Sequence, residues 1–409
     1  MKEQESQIKN AYKRYGEIKL GDTRLAKRLE KTMETLHKDP SLSICGASED
    51  RYEAKAIYRM LKNPKFTISP ILEASKMNTI ERIIESGEKL ILLPQDTSEL
   101  DYTNLKACDG LGVHGTNENS RGIIFHSSIA VSPSGMTYGL VSQELWVRPP
   151  EEHGKSNDRR NRPIEEKESR KWLDTMDKSM NGFPDDIKTV TVCDREGDIY
   201  ELFRKAQSED KSYLIRLVQN RLTTEETKLI DFAKGLNSDG ICVVQVPRDT
   251  RNNRPAREAQ LEIKYSKITI KAPRNSGYGA KDSITAWVVA AEEIGAPDGV
   301  EPIAWYLLTN IPVTSFDEAC EKVRWYVQRW KIERFHFVLK NVCKVNKLQE
   351  RNAERLIKLI VIYSIIAMTI MFLMYLSRTS PDIPCDVIFT EEEWKLLYIV
   401  STNSTSFPP

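Results

Sequence analysis

The chain has 409 residues, of which 40% are hydrophobic, 29% charged and 8% aromatic, a composition typical of folded globular proteins. This length is too great for one compact core and predicts two or three domains. The formal net charge is only +1, which excludes a global basic field, so a polyanionic partner has to be held by local patches.

The seven cysteines are scattered along the chain, and none of them forms a CxxC pair. This pattern argues against a disulfide framework or a cysteine zinc site and is typical of a reducing cytosol. The segment Met1–Asn10 is polar and has no hydrophobic signal-peptide core. We therefore expect a cytoplasmic protein.

The first third of the chain is predicted to be helical. Charged, periodic segments at Arg24–His37 and Glu53–Leu61 predict helices, and the stretch Asn63–Pro70 ends the pattern. Lysine and arginine recur throughout, including Arg24 and Arg28. Basic helices of this kind bind phosphates, although a solvated surface explains the same residues equally well.

From Lys89 onwards the pattern changes to strands. The apolar runs are KLILLPQD, IIFHSSIAVSP, YGLVSQELWVR and, after one helix, IKTVTVCD. The very polar segment Pro149–Lys171 predicts a loop that is mobile or ordered by a ligand. A helix is expected near Asp198–Gln207, and the sequence from there to Thr309 is predicted to be mostly strand.

Two aspartates follow apolar runs, Asp96 after LILLPQ and Asp194 after VTVC. In open α/β sheets, functional groups gather just beyond the carboxyl ends of strands. Together with Glu333 they would form a three-carboxylate cluster, whose repulsion a hard cation such as Mg²⁺ would neutralise. Two such ions about 4 Å apart would activate water and stabilise the leaving oxygen of a phosphodiester. Taken alone, either aspartate is better explained as a turn residue.

The segment Tyr326–Lys340 predicts a helix with two faces. At about 100° per residue, its polar stripe is about 80° wide and contains Tyr326, Arg329, Glu333, His336 and Lys340. The opposite, buried face is predicted to contain Val327, Ile332, Phe335, Val338 and Leu339. One explanation of the stripe is a solvated helix face with an Arg–Glu ion pair. The functional alternative is a carboxylate that acts at a site between two cations.

The run Leu359–Leu376 is uncharged and long enough to span a bilayer, with Lys358 and Arg378 at its ends. A membrane helix and a helix buried inside a large domain both explain it. Because the surrounding chain is polar and the run follows the Tyr326 segment closely, we expect the buried helix.

Together these motifs resemble the DDE transposases of bacterial insertion sequences, in the group that contains the transposase of transposon five. The resemblance rests on DTSEL at Asp96, TVCDREGDIYELF around Asp194, and the group's signature Y-x2-R-x3-E-x6-K, which begins at Tyr326. Similar blocks in the family's order cover nearly the whole chain: LGDTRLAKRL, YRMLKNP, QELWVRP, EKESRKW, NRPAR and AWYLLTNIPV.

The resemblance implies an α/β fold with an RNase H-like mixed sheet and a β-rich insertion, flanked by N- and C-terminal helical regions. Residues 1–70 would form a DNA end-binding module and residues 71–347 the catalytic domain, with the insertion at about 208–315. Residues 348–409 would form a shortened C-terminal helical region.

The implied activity is cut-and-paste transposition by an Mg²⁺-dependent nuclease and strand transferase, with Mn²⁺ as a substitute. Asp96, Asp194 and Glu333 would be catalytic and would hold two metal ions. The family hydrolyses DNA at the transposon end, forms and reopens a hairpin, and joins the 3′-hydroxyl to target DNA. Its partners would be transposon-end and target double-stranded DNA, with the protein at the nucleoid when bound.

The resemblance also implies a set of DNA contacts. Arg329 and Lys340 would hold terminal phosphates, with Tyr326 hydrogen-bonding beside them. Trp305 would stack against a flipped base, although by composition alone it is explained as a core strand residue. Three arginines complete the set. Arg216 would lie near the hairpin end, and Arg24 and Arg28 would contact the terminal repeat.

The sequence departs from the family at two places. Phe337 stands where the family member has a lysine, so one phosphate contact is missing or comes from elsewhere. The segment Thr390–Val400 begins like the family's C-terminal helices, with a capping box at Thr390 and Glu393. The chain stops at Pro409, so we expect the helices that pair two protomers in the family to be absent or replaced. A homodimer on DNA is expected from the resemblance, and the short C-terminus puts it in doubt.

Two alternatives follow. The first is a catalytically silent DNA-binding relative that inhibits transposition. The second is a membrane-attached protein that uses the apolar run Leu359–Leu376.

Overall fold

The computed structural model describes residues 11–115, 117–152, 162–246, 255–273, 282–379, 381–382, 384–385, 389 and 391–403. Its α-helices are α1 (Thr23–Lys38), α2 (Ile44–Ala47), α3 (Arg51–Lys62), α4 (Ser69–Ser86), α5 (Arg170–Met180), α6 (Tyr200–Ser208), α7 (Leu229–Gly235), α8 (Phe316–Val327), α9 (Trp330–Phe337), α10 (Ala353–Thr379) and α11 (Glu391–Thr402). Its strands are β1 (Leu90–Asp101), β2 (Gly112–Val113), β3 (Arg121–Val131), β4 (Thr137–Trp146), β5 (Lys188–Cys193), β6 (Ser212–Arg216), β7 (Gly240–Val246), β8 (Arg257–Ile270), β9 (Ile284–Ile294) and β10 (Ala304–Thr309).

The fold is mixed α/β, with one large mixed sheet and helices on its flanks. Within the described residues the sheet has ten strands in the order β2-β3-β1-β5-β6-β10-β9-β8-β7, and β4 pairs with β3. The pairs β1–β5 and β5–β6 are parallel, whereas β1, β3 and β4 pair antiparallel. The parallel strands bring the carboxyl ends of β1 and β5 to the same region of the molecule.

The strands of the β-rich segment extend this same sheet. β6 still belongs to its parallel part, and β10 pairs antiparallel with β6. β9, β8 and β7 then follow as an antiparallel meander, with Gln260–Ile270 opposite Ile294–Ile284. The domain boundaries given above stay predictions.

The N-terminal helices form where the sequence predicts them. α1 begins at an N-cap, Asp22, whose side chain accepts a hydrogen bond from the backbone N–H of Arg24. Its buried residues Leu25, Leu29, Met33 and Leu36 recur at helical spacing and join a core shared with β3 and α10. Asp50 caps α3 in the same way.

The apolar segment predicted to be buried forms α10 and lies against β4 and the N-terminal helices. The described residues contain one helix long and apolar enough to cross a membrane, Ala353–Arg378. Of its most apolar stretch of 18 residues, 78% is buried inside the molecule. Two polar contacts hold it there: Gln143 Nε2 donates to Ser364 Oγ at 3.0 Å, and Lys358 Nζ donates to the Leu61 carbonyl at 3.2 Å.

The segment Tyr326–Lys340 does not form the single regular helix that the spacing predicts. α8 ends at Val327, α9 begins at Trp330, and Val338–Val342 forms a π-helical turn. Between the helices the backbone tightens, because the N–H groups of Arg329 and Ile332 bond to the carbonyls three residues earlier, at 3.0 and 3.1 Å. This local change of pitch shifts the two faces away from the ideal helical projection.

Several expectations concern residues outside the described ranges. They include the side chains of the capping box at Thr390 and Glu393, part of the NRPAR block and residues 153–161 of the polar loop. The seven cysteines are all free of disulfides, as their spacing predicts.

Candidate active site

Asp96 and Asp194 lie on neighbouring strands. β1 and β5 pair in parallel with Pro94 opposite Val192, so the aspartates, each two residues further on, lie side by side. Asp194 directly follows β5 and also caps the next turn, where its Oδ1 accepts from the Glu196 N–H at 2.9 Å. β1, however, does not end at Asp96 but continues to Asp101, paired with β3.

The Asp96 carboxyl is in an unfavourable place for a negative charge. Its side chain is 20% exposed. Burial raises its pKa to about 7, helped by the negative charges of Asp194 and Glu333 and opposed by the Arg329 guanidinium. The three predicted carboxylates are therefore close enough to interact electrostatically, although they come from widely separated parts of the chain.

Glu333 is engaged by a cation. Its Oε1 accepts a hydrogen bond of 2.6 Å from Arg329 Nη2, and the Arg329 side chain is only 11% exposed. Burial lowers the pKa of Arg329, but the neighbouring Tyr326, Glu333 and Asp96 raise it above its ordinary value, so the guanidinium stays charged. The Arg–Glu pair expected from the spacing is thus present, with Arg329 buried and the Glu333 side chain 41% exposed.

The donor set can be tested against a metal ion. Oxygen ligands from three carboxylates suit Mg²⁺, and the pKa of Asp96, raised by burial and by neighbouring negative charge, shows that its anion lacks compensation that a cation would supply. In the described part of the chain, however, no group of three or more His, Cys, Asp or Glu side chains is placed so that it could hold a metal ion together. The chemistry of the set fits, and the bond between Arg329 and Glu333 keeps the third carboxylate occupied.

The predicted polar stripe is not a solvated face. Tyr326, Arg329 and His336 are 1%, 9% and 7% exposed, so the expectation of a solvent-facing helix side is wrong for these three. The stripe instead faces β1, where His336 Nδ1 lies 3.8 Å from Asp96 Oδ2 and Lys340 Nζ donates to Ser98 Oγ at 2.7 Å.

On the opposite face, Val327 is only half-buried, whereas the sequence predicted full burial. The other four residues predicted for that face are buried: Ile332, Phe335, Val338 and Leu339. Val327 differs because α8 ends there, and it both packs against the core and lines a cavity.

A cavity of about 490 Å³ is lined by residues that neighbour Asp194 and Arg329 in the sequence, although none of the three carboxylates lines it. Its lining includes Trp305, Arg216, Arg195 and Trp330. Trp305 is 8% exposed, and its ring packs edge-on against Tyr326 with the centroids 5.1 Å apart. Trp305 is thus both a packed strand residue and part of a cavity wall.

Arg216 joins the same cluster at the end of β6. Its Nη2 donates to the Ala304 carbonyl at 3.1 Å. Burial lowers its pKa, while the neighbouring Tyr326 opposes the change. Two residues of the cavity wall, Arg195 and Trp330, were not singled out in the sequence, although each directly follows a residue that was.

A buried hydrogen-bonded network fixes the strand that carries Asp96. Thr97 Oγ1 lies 2.9 Å from His126 Nδ1, and His126 Nε2 lies 3.2 Å from Gln95 Oε1. Gln95 Nε2 also donates a hydrogen bond to Thr191 Oγ1 on β5, at 3.4 Å. Burial holds the pKa of His126 well below its ordinary value, so this imidazole is neutral. The sequence signal for the network was that Gln95 and Thr97 flank Asp96 on a strand and so point to the opposite face.

Arg24 and Arg28 do not join the carboxylate cluster. They lie one turn apart on α1, with Arg28 half-buried. The Arg24 side chain is 90% exposed and pairs with Asp22 at 3.0 Å.

Residues 9–66 match the transposase DNA-binding family. This match supports a DNA transposase whose N-terminal helices bind DNA. A solved structure of the piggyBac transposase, in a synaptic complex with hairpin DNA, is 11% identical to the chain and covers 94% of this chain and 76% of that chain, with a TM-score of 0.38. A structural similarity of this size carries no argument about the fold or the site.

Proposed function

We propose that the chain is a metal-dependent cut-and-paste DNA transposase of the DDE class, as in bacterial insertion sequences. The observation that carries this proposal is the Asp96 carboxyl, whose pKa is raised to about 7 by burial and by the negative charges of Asp194 and Glu333. A carboxyl group whose pKa is shifted by burial together with specific charged neighbours is typical of functional sites. The match of residues 9–66 supports DNA as the substrate.

The strand order supports an RNase H-like catalytic core. β1, β3 and β4 form an antiparallel meander, and β5 and β6 add to the other side of β1 in parallel. The helices α5 and α6 make the two crossover connections. In this arrangement the two aspartates occupy the central strand and its parallel neighbour.

Asp96, Asp194 and Glu333 would hold the metal ions. Bound Mg²⁺ would supply the acidity that generates hydroxide from water and would stabilise the leaving oxygen of the phosphodiester. Because Asp96 is disfavoured as an anion without a cation nearby, its ionisation and metal binding support each other.

The DNA end would be held by the residues around the carboxylates. Arg329, bonded to Glu333, and Lys340, bonded to Ser98 on β1, would bind phosphates of the DNA end. Tyr326 packs between Trp305 and Arg329, with the Arg329 guanidinium 5.7 Å from its ring centre. The cavity lined by Trp305 and Arg216 would take an unstacked base beside them.

The decisive experiment is a cleavage assay. The substrate is a duplex that carries the inverted repeat flanking the gene, supplied with Mg²⁺ or Mn²⁺. We expect wild-type protein to cut it and Asp194→Ala to lose all detectable cutting. A matched control is Asp186→Ala, at the other end of β5, because Asp186 forms only an exposed ion pair with Lys89 at 2.5 Å. Cutting by Asp194→Ala at the wild-type rate would refute the carboxylate mechanism.

A second assay separates the role of Trp305 from core packing. If Trp305 holds an unstacked base, Trp305→Ala slows hairpin formation more than first-strand nicking. Equal slowing of both steps would make the residue a packing residue only.

One observation favours the alternative of a silent DNA-binding relative. The described residues contain no three-ligand group arranged around a metal ion. The same assay distinguishes the two functions, because the silent relative would bind the duplex and leave it uncut at every concentration of Mg²⁺ and Mn²⁺.

A further inference from the structure

The two cations proposed to hold DNA phosphates already have partners inside the molecule. Arg329 Nη2 donates to Glu333 Oε1 at 2.6 Å, and Lys340 Nζ donates to Ser98 Oγ at 2.7 Å. The two partners differ in chemistry. Ser98 is a neutral hydroxyl, whereas Glu333 is the third carboxylate of the proposed metal site.

The Arg329 guanidinium is buried and therefore requires a counter-anion. Its side chain is 11% exposed, its guanidinium lies 5.7 Å from the Tyr326 ring centre, and its buried Nε has no hydrogen-bond partner among the described residues. A buried guanidinium without a counter-anion is strongly unfavourable. Glu333 supplies that anion here, and a phosphate could supply it equally well because the guanidinium fork fits both.

The Glu333 oxygen that accepts the hydrogen bond from Arg329 would also be a ligand of the proposed metal ion. The Glu333 side chain is 41% exposed, so part of it is open to solvent and is not fixed by packing on all sides. Asp96 lies close enough for the Glu333 charge to raise its pKa. A metal ion between these carboxylates competes with Arg329 for Glu333.

We propose that the Arg329–Glu333 ion pair is a latch on the metal site, opened when a DNA phosphate takes Arg329 and releases Glu333 to the metal ion. This inference rests on the proposed function and adds an order of assembly to it. DNA and the metal ion then bind cooperatively, and by linkage each raises the affinity for the other by the same factor. Without DNA, the latch keeps the third ligand away from the metal ion.

The latch can be tested on the full chain without DNA, with Mn²⁺ as the probe and its electron paramagnetic resonance signal as the measure of free ion. We expect Arg329→Gln to bind Mn²⁺ about 10-fold more tightly than wild type, within the usual range of coupling energies. Arg329→Met is the second variant, in case Arg329→Gln is poorly folded. Unfolding would weaken Mn²⁺ binding, so it would not imitate the expected gain.

Two further variants decide whether the gain passes through Glu333. In a Glu333→Gln background, Arg329→Gln should give no gain, because the freed ligand is gone. Lys340→Gln removes a neighbouring positive charge that has a different partner, and we expect it to change Mn²⁺ affinity less than about 3-fold. A gain that persists without Glu333, or that Lys340→Gln reproduces, would show simple charge repulsion and overturn the latch.

The reciprocal experiment uses DNA. With an already cut transposon-end duplex, Mn²⁺ should strengthen binding by wild type severalfold and have no such effect on Glu333→Gln. Equal Mn²⁺ effects on both proteins would also overturn the proposal.

Failure of the latch is distinguishable from failure of the proposed function. A wild type that cuts DNA while Arg329→Gln and Arg329→Met show unchanged Mn²⁺ affinity retains its function and has no latch. A chain that binds no Mn²⁺ with or without DNA loses both.

Discussion

The helix α10 and one face of α9 are buried, yet their sequences have opposite chemistry. α10 is apolar enough to cross a membrane, and the fold removes it from water by packing it on β4 and the N-terminal helices. α9 and its preceding turn carry polar and charged groups, and the fold buries two of them, Arg329 and His336, beside β1. Burial of α10 follows from hydrophobicity alone, because removing apolar surface from water is favourable. Burial of charges is unfavourable, so each needs a partner, and such sites are typical of function.

The largest effect is expected in α10. Ile366 is fully buried, so Ile366→Asp places an unpaired charge in the core and should destabilise the protein by more than about 4 kcal/mol, which unfolds it. Urea unfolding followed by circular dichroism measures this change. Ser377→Asp is the matched control, because Ser377 is exposed on the same helix and should change stability by less than about 1 kcal/mol. Equal midpoints for the two variants would show that α10 is not a core element.

Asp96→Asn should stabilise the protein, whereas Ile366→Asp should destabilise it. The folded-state pKa of Asp96 is raised from 3.8 to about 7, so its contribution is fully present below pH 4 and is lost as the pH rises through 7. Asp96→Asn avoids that loss and should make the metal-free protein more stable at pH 8, by on the order of a few kcal/mol, with little difference at pH 4.

The measurement is thermal unfolding in a chelator at both pH values. Asp101→Asn is the control, since hydrogen bonds from Thr103 lower the pKa of Asp101 at the exposed end of the same strand. Mn²⁺ should then stabilise wild type and not Asp96→Asn. A pH-independent difference between wild type and Asp96→Asn would mean that Asp96 is not a strained carboxyl.

A smaller effect is expected where α10 meets the sheet through polar atoms. Ser364→Ala removes the 3.0 Å hydrogen bond from Gln143 Nε2, which keeps its bond to Ser127, and should cost about 1 kcal/mol of unfolding free energy. Ser377→Ala should cost less than about 0.5 kcal/mol because its hydroxyl is exposed. If both cost the same, the buried contact contributes nothing specific.

The smallest effect on stability is expected at an exposed cation. Arg24→Ala should leave the urea unfolding midpoint almost unchanged, because exposed ion pairs contribute little to stability. It should weaken binding to the transposon-end duplex and lower the salt dependence by about one phosphate contact. Lys38→Ala, at the other end of α1, is the control for general loss of charge. An unchanged salt dependence would remove Arg24 from the DNA interface.

The local elements were largely predictable from the sequence. α1 and α3 begin and end within a few residues of the predicted segments, because periodicity and N-caps are local signals. The predicted strands are present for the same reason, although β1 continues past Asp96 because it pairs with β3. The change of pitch near Arg329 was not predictable, since a tightened turn leaves no mark in apolar spacing.

The sequence by itself determined which groups are available: three carboxylates, the cations around Glu333, and an apolar helix that has to be buried. Only the tertiary structure decided that Arg329 holds Glu333, that Lys340 reaches Ser98, and that the Asp96 carboxyl has a pKa near 7. The reason is physical. Hydrophobic and helical tendencies belong to neighbouring residues, whereas desolvation and charge–charge interaction depend on groups that come together only when distant segments fold against each other.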